Sequence, residues 1–202
     1  MALTLSGSGI TSANIVDGTI VNADVNDVAA SKLTGALPAI DGSSLTGTGK
    51  VLQVVSGNFT SIASTSSTSW QDSGLSVNIT PSSTSSKILV LSSTNLGTAL
   101  GGAYGGHMRL TRDGSAINVG DAVGSRVQAT GSSYSDTYNY QVFNISTSFV
   151  DSPATASAVT YKIQIRAGWT NSAVLLNYSG HDGNAAHSGR YPSVLTLMEI
   201  GA

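Results

Sequence analysis

Four apolar residues, Ile10, Ile15, Ile20 and Val25, recur at every fifth position near the start of the chain. A small residue stands two before each of them: Ser8, Ala13, Gly18 and Ala23. A five-residue period fits neither a helix, at about 3.6, nor a strand, at about 2. It fits a chain that turns a corner at regular intervals and points its apolar side chains at an axis. Four such units bury no core alone, because each repeat needs a stacked neighbour. The simplest neighbour is another copy of the chain. Residues 1–50 therefore read as an extended, turn-rich stalk. A short helix is expected over Asp27–Lys32, capped by Asn26. Pro38, Gly42, Gly47 and Gly49 break any regular element after it.

From Val51 the pattern changes, which sets a boundary between a segment 1–50 and a domain 51–202. Apolar and β-branched runs alternate with Gly, Asp, Asn and Ser clusters. Strands are expected at Val51–Phe59, Ser69–Ile79, Lys87–Ser93, Tyr104–Arg112, Ser115–Val119, Tyr138–Thr147, Ala158–Ala167, Ala173–Tyr178 and Ser193–Ile200. Tyr161, Ile163 and Ile165 face one way and Lys162, Gln164 and Arg166 the other, the mark of a strand with one buried face. Asp113-Gly114 between two such runs is the strongest short hairpin signal. Many short strands with regular turns, and no helix, indicate an all-β fold: a jelly-roll-like antiparallel β-sandwich. The last strand, Ser193–Ile200, is apolar on both faces. It is either central and covered, or its second face packs against another chain.

The surface is polar without being charged. Only 10% of residues are charged, against roughly 25% in ordinary soluble domains. Nine basic residues, scattered in a chain of net charge −2, supply no nucleic-acid footprint. There are no cysteines, so disulfides and thiolate metal sites are excluded. No signal peptide and no run near the ~18 apolar residues of a membrane span are present. Synthesis in a cytoplasm without membrane insertion is expected. The sequons at Asn58, Asn78, Asn144 and Asn177 are then chance products of an Asn-, Ser- and Thr-rich composition.

Catalysis has little to work with. Hydrolysis by paired carboxylates needs two acids about 5–10 Å apart. Glu199 is the only glutamate, and Asp41, Asp113 and Asp182 each precede a glycine in a turn context. No catalytic residue is assigned, and the chain is expected not to be an enzyme. Gly101–Gly106 lacks the Gly-Lys-Ser/Thr ending of a phosphate loop. His181 and His187 read as members of a surface loop, and His107 as a core or interface residue; no metal site and no cofactor are assigned. Trp70 reads as core. The remaining aromatics suit sugars, whose apolar faces stack on Tyr and Trp while Asn and Ser hydrogen-bond the hydroxyls. The candidates are Tyr104, Tyr134, Tyr138, Trp169 and Asn171, all on expected loops or strand ends, where binding residues are displayed.

The leader ITSANIVDGTIVNADV, followed by AASKLTG and DGSSLTG, resembles the short-repeat linkers of bacteriophage virion fibres, especially of marine and cyanobacterial phages. The second part is similar to the terminal domain of such fibres, in Gly49–Val54, Ser69–Leu75, Ile79–Ser83, Ser86–Val90, Leu110–Gly114 and Leu195–Ile200. The resemblance implies a homotrimer whose leader attaches to the virion through Ile10, Ile15, Ile20 and Val25. The partner would be a tail or adaptor protein, or alternatively the major capsid protein; the tail is preferred. The head would contact a host surface polysaccharide. The alternatives are a capsid-decorating head fibre or cement protein with a structural role and, weaker, a glycan depolymerase.

Overall fold

The computed structural model describes residues 50–99, 105–134 and 140–201. The chain divides into two units, Met1–Thr46 and Gly47–Ala202. Ile10, Ile15, Ile20, Val25 and the helix expected over Asp27–Lys32 lie outside the described residues.

The described part of the second unit is all-β and antiparallel, with eleven strands among the described residues. They are β1 (Val51–Phe59), β2 (Ala63–Thr65), β3 (Gln71–Ile79), β4 (Lys87–Thr98), β5 (Gly106–Arg112), β6 (Ser115–Ile117), β7 (Gly131–Ser133), β8 (Val142–Asp151), β9 (Val159–Ala167), β10 (Val174–Leu176) and β11 (Ser193–Ile200). One sheet has the order β1-β11-β4-β10-β2, with β8 on the other side of β4. The second has the order β3-β9-β5-β6, with β7 also on β5. The long strands β1, β3, β4, β5, β8, β9 and β11 alternate between the two sheets along the chain.

Alternation decides which side chains fill the space between the sheets. On β9, Tyr161, Ile163, Ile165 and Ala167 are buried while Lys162, Gln164 and Arg166 are half-buried on the opposite face. On β11, Leu195 and Leu197 point inward and Val194, Met198 and Ile200 outward. The core joins these to Leu75, Val77, Ile88, Val90, Met108 and Leu110 from both sheets. β11 is therefore central, paired with β1 on one side and β4 on the other.

Asp113-Gly114 closes the β5–β6 hairpin, with Arg112 opposite Ser115. Both turn residues have positive φ, 48° and 83°, as the tightest hairpin turn requires. A Cβ on Gly114 would meet nothing within 4 Å, so substitution there acts on backbone conformation alone. Gly114→Ala should cost about 1–2 kcal/mol in urea unfolding, with an unchanged native circular dichroism spectrum.

Three expectations need correction. Trp70 is not core: it is half-buried on the outer face of the second sheet, beneath the Arg109 guanidinium at 4.5 Å. His107 also lies on that outer face, opposite Arg166, which removes the core half of its core-or-interface reading. The strand expected at Tyr138–Thr147 begins instead at Val142 and runs to Asp151. Its far end is fixed by the register of Asp151 against Ile88 and by an ion pair between Asp151 and Arg112 at 2.8 Å. Tyr161 donates its hydroxyl proton to the same carboxylate at 2.6 Å. Burial, reinforced by that hydrogen bond, pushes the Tyr161 phenol far up from its ordinary value.

Candidate functional site

The two outer faces of the sandwich have opposite chemistry. On the β3-β9-β5-β7 face, pairing places Arg166 opposite His107, and His107 opposite Ser132. Continuing the β3–β9 register one residue past Gln71–Ile165 brings Trp70 opposite Arg166. The row thus reads indole, guanidinium, imidazole, hydroxyl. The next row is Asp72, Gln164 and Arg109. Here Gln164 donates to Asp72 at 2.7 Å and accepts from Arg109 Nε at 2.9 Å. Lys162 completes it with an ion pair to Asp72 at 2.7 Å. The hydrogen bonds from Lys162 and Gln164 hold the Asp72 carboxyl below its usual range. Both Arg109 and Arg166 lie over the Trp70 ring, at 4.5 and 5.8 Å, a favourable cation–π geometry.

An open pocket of about 200 Å³ adjoins this row, lined by Gly105, His107, Ser132, Ser133, Tyr134 and Gly168. Three chain segments converge here because two of them lack side chains. A Cβ on Gly105 would overlap the Ser133 carbonyl, and one on Gly168 would overlap the Gly105 carbonyl. Gly168 N–H donates to that same carbonyl at 2.8 Å. Burial, then the charge of Arg166, pushes the His107 imidazole below its ordinary range. At neutral pH it is thus an uncharged donor and acceptor.

Of the residues singled out from sequence, Tyr134 is 58% exposed at the pocket wall. Trp169, 57% exposed, follows Gly168 directly. Asn171 is exposed at a φ of 67°, a conformation Asn tolerates well. Its turn is closed by Ser172, whose hydroxyl donates to the Trp169 carbonyl at 2.9 Å. Tyr104 and Tyr138 lie outside the described residues. Gly105, Tyr134 and Gly168 line one pocket, so one end of this sheet brings Tyr134 close to the segment that carries Trp169 and Asn171. Trp70 reads as core from sequence, and Arg109 and Arg166 carry no binding assignment there. Their signal was the alternation itself, which puts Arg109 and Arg166 on polar positions, but only the register shows that they meet.

A second cluster joins Tyr140 to His181 and His187, with ring centroids 4.6 and 5.8 Å away and the two imidazoles 5.1 Å apart. Beside it Arg190 pairs with Asp182 at 2.7 Å. No group of three or more His, Cys, Asp or Glu among the described residues could hold a metal ion.

The other outer face, on β1-β11-β4-β8, is nearly uncharged. Register aligns Val54, Met198, Leu89 and Val150 in one row across four strands. Val54 and Val150 are 56% and 57% exposed. Val51 and Ile200 are paired beside this row, and Leu91 lies in the next. Lys87 is the only charge these four strands carry outward; Asp151 and Glu199 point inward. Glu199, also not singled out, is fully buried and accepts from Ser82 N, Ser82 Oγ, Ser86 Oγ and Gln53 Nε2 at 2.6–2.7 Å. No helix among the described residues is long and apolar enough to cross a membrane. No protein-family model matches the chain, and no curated protein matches it.

Proposed function

We propose that this chain is a homotrimeric bacteriophage virion fibre. Residues 1–50 form the shaft and attach it to the virion, by preference to the tail. Residues 51–202 form a jelly-roll head that recognises a polysaccharide on the host surface and performs no chemistry. The observation that carries the reading is the apolar row Val54–Met198–Leu89–Val150 on a face with a single charge. Contiguous exposed apolar surface marks an interaction site. A face without charge can meet its own copies without repulsion. The five-residue column Ile10, Ile15, Ile20 and Val25 makes the same demand for copies from another part of the sequence. The pairings β1-β11, β11-β4 and β4-β8 in one sheet and the order β3-β9-β5-β6 in the other support the jelly-roll reading, an architecture shared by capsid and lectin domains.

Recognition is assigned to the opposite face and its loop end, where Tyr134 and Trp169 offer exposed aromatic surface beside hydrogen-bonding groups. Three copies would turn weak sites into useful avidity. The test is adsorption. Fluorescently labelled chain should bind cells that the parent phage infects and should slow phage adsorption in competition. Chain that binds no such cells, together with immunogold label confined to tailless capsids, would replace this reading with a capsid-decorating role.

A further inference from the structure

The outer face of β3-β9-β5 carries a charge imbalance that its own hydrogen bonds leave open. Lys162 is neutralised by Asp72, and Arg112 and Arg190 have Asp151 and Asp182. Arg109 and Arg166 have no carboxylate partner among the described residues. Arg109 uses only its Nε, on Gln164, and Arg166 its Nε, on the Ala167 carbonyl at 3.2 Å. The terminal nitrogens of both guanidiniums make no other described hydrogen bond. In a chain of net charge −2, two uncompensated arginines within 6 Å of one indole are a local arrangement, and no general basicity accounts for them. A guanidinium fork matches a carboxylate or sulfate in geometry. Tyr134, 58% exposed, supplies a face for a sugar ring, the covered indole holds the two guanidiniums in place, and His107 and Ser132 supply neutral hydrogen-bonding groups. From Trp70 to Ser132 the row crosses four strands at about 4.8 Å spacing, roughly 14 Å in all, long enough for a short oligosaccharide.

We infer that this face binds an acidic polysaccharide, with Arg109 and Arg166 gripping its carboxylate or sulfate groups and the pocket beside His107 and Tyr134 receiving an adjacent sugar ring. The inference rests on the glycan-recognition reading above and names the class of glycan.

The experiment uses the full-length chain and three soluble polymers: polygalacturonate, dextran sulfate and neutral dextran. Binding is followed by isothermal titration calorimetry at 50 mM and 500 mM NaCl. The chain should bind at least one anionic polymer, bind neutral dextran at least tenfold more weakly, and lose most of its affinity at high salt. Which anionic polymer wins distinguishes carboxylate from sulfate. Arg109→Gln and Arg166→Gln, both at half-buried surface positions, should each weaken binding about tenfold, and together abolish it, while the far-ultraviolet spectrum stays unchanged and the unfolding temperature falls by only a few degrees, the cost of the lost contacts to Trp70. Arg166→Lys should restore only part of the affinity, because an ammonium lacks the fork. Equal binding by the folded double variant, or equal affinity for neutral dextran, would overturn the inference. Host-cell adsorption separates the two readings. A double variant that still adsorbs to cells as the parent chain does removes the acidic-sugar assignment alone. A parent chain that never adsorbs removes the wider reading.

Discussion

Val54→Glu combined with Val150→Glu should convert the proposed trimer into single chains that remain folded. Both side chains are more than half exposed in the isolated chain. Surface substitutions of this kind usually change stability by about 0.5 kcal/mol or less. In the proposed assembly the same positions lie in the apolar row that meets a neighbouring copy. A carboxylate buried there without a partner costs about 3–5 kcal/mol, and each copy would bring two. The mass from light scattering should fall to the 20.4 kDa of one chain, with the far-ultraviolet spectrum unchanged. Thr196→Glu, in the adjacent row on the same outer face, is a graded control and should weaken the assembly less.

Replacing Glu199 should have the largest effect on the fold itself. Its two carboxylate oxygens accept four hydrogen bonds, three from Ser82 and Ser86 and one from Gln53. They pin the 80–86 connection across the end of the sandwich; Gln53 Nε2 also donates to the Thr80 carbonyl at 2.7 Å. Burial opposes ionisation here, but these hydrogen bonds outweigh it and hold the carboxyl at about 2, against an ordinary 4.5. A glutamine amide would turn a donor toward at least one of these donors, and an alanine would orphan all four. Glu199→Gln and Glu199→Ala should therefore each destabilise the head by on the order of 3 kcal/mol or more.

The same group sets an acid sensitivity. Because its folded value is depressed, the carboxylate stabilises the folded state fully above about pH 4.5. That contribution is lost as pH falls toward 2, again on the order of 3 kcal/mol. The urea midpoint of the parent chain should drop steeply in this window. Glu199→Gln should start lower at pH 7 and show a shallower acid dependence, with the remainder carried by groups such as Asp72.

Most of the head was legible because its strands alternate. In β9 each second residue is apolar, in β11 apolar residues stand on both faces, and the limits of both fall within a residue of those expected from sequence. β2 and β7 escaped because three residues are too few to show a period. β4 runs on past Ser93 to Thr98. It buries Ser92 and Thr94 on its inner face, where a sequence pattern leads one to expect apolar side chains. Glu199 looks unpromising from sequence because it stands in the C-terminal strand, an unlikely place for a cleft. Its partners lie more than 100 residues away in sequence, and only the folded register brings them in. Trp70 reads as core because it stands in the expected strand Ser69–Ile79, among the residues that carry the fibre resemblance. Its indole instead finds cover from Arg109, a contact that stabilises a ring without burying it. Asn177, one of the apparent sequons, is buried and donates to the Phe59 and Ser61 carbonyls at 2.7 and 2.8 Å.

Assembly through the apolar face of β1-β11-β4-β8 underlies both the fibre reading and the assignment of the opposite face to recognition. Sedimentation equilibrium of the purified full-length chain tests it most directly. The mass should be three times 20.4 kDa at micromolar concentration, and should fall to one chain for the Val54→Glu, Val150→Glu variant. A parent chain that sediments at 20.4 kDa, or a variant that keeps the parent's mass, would contradict it.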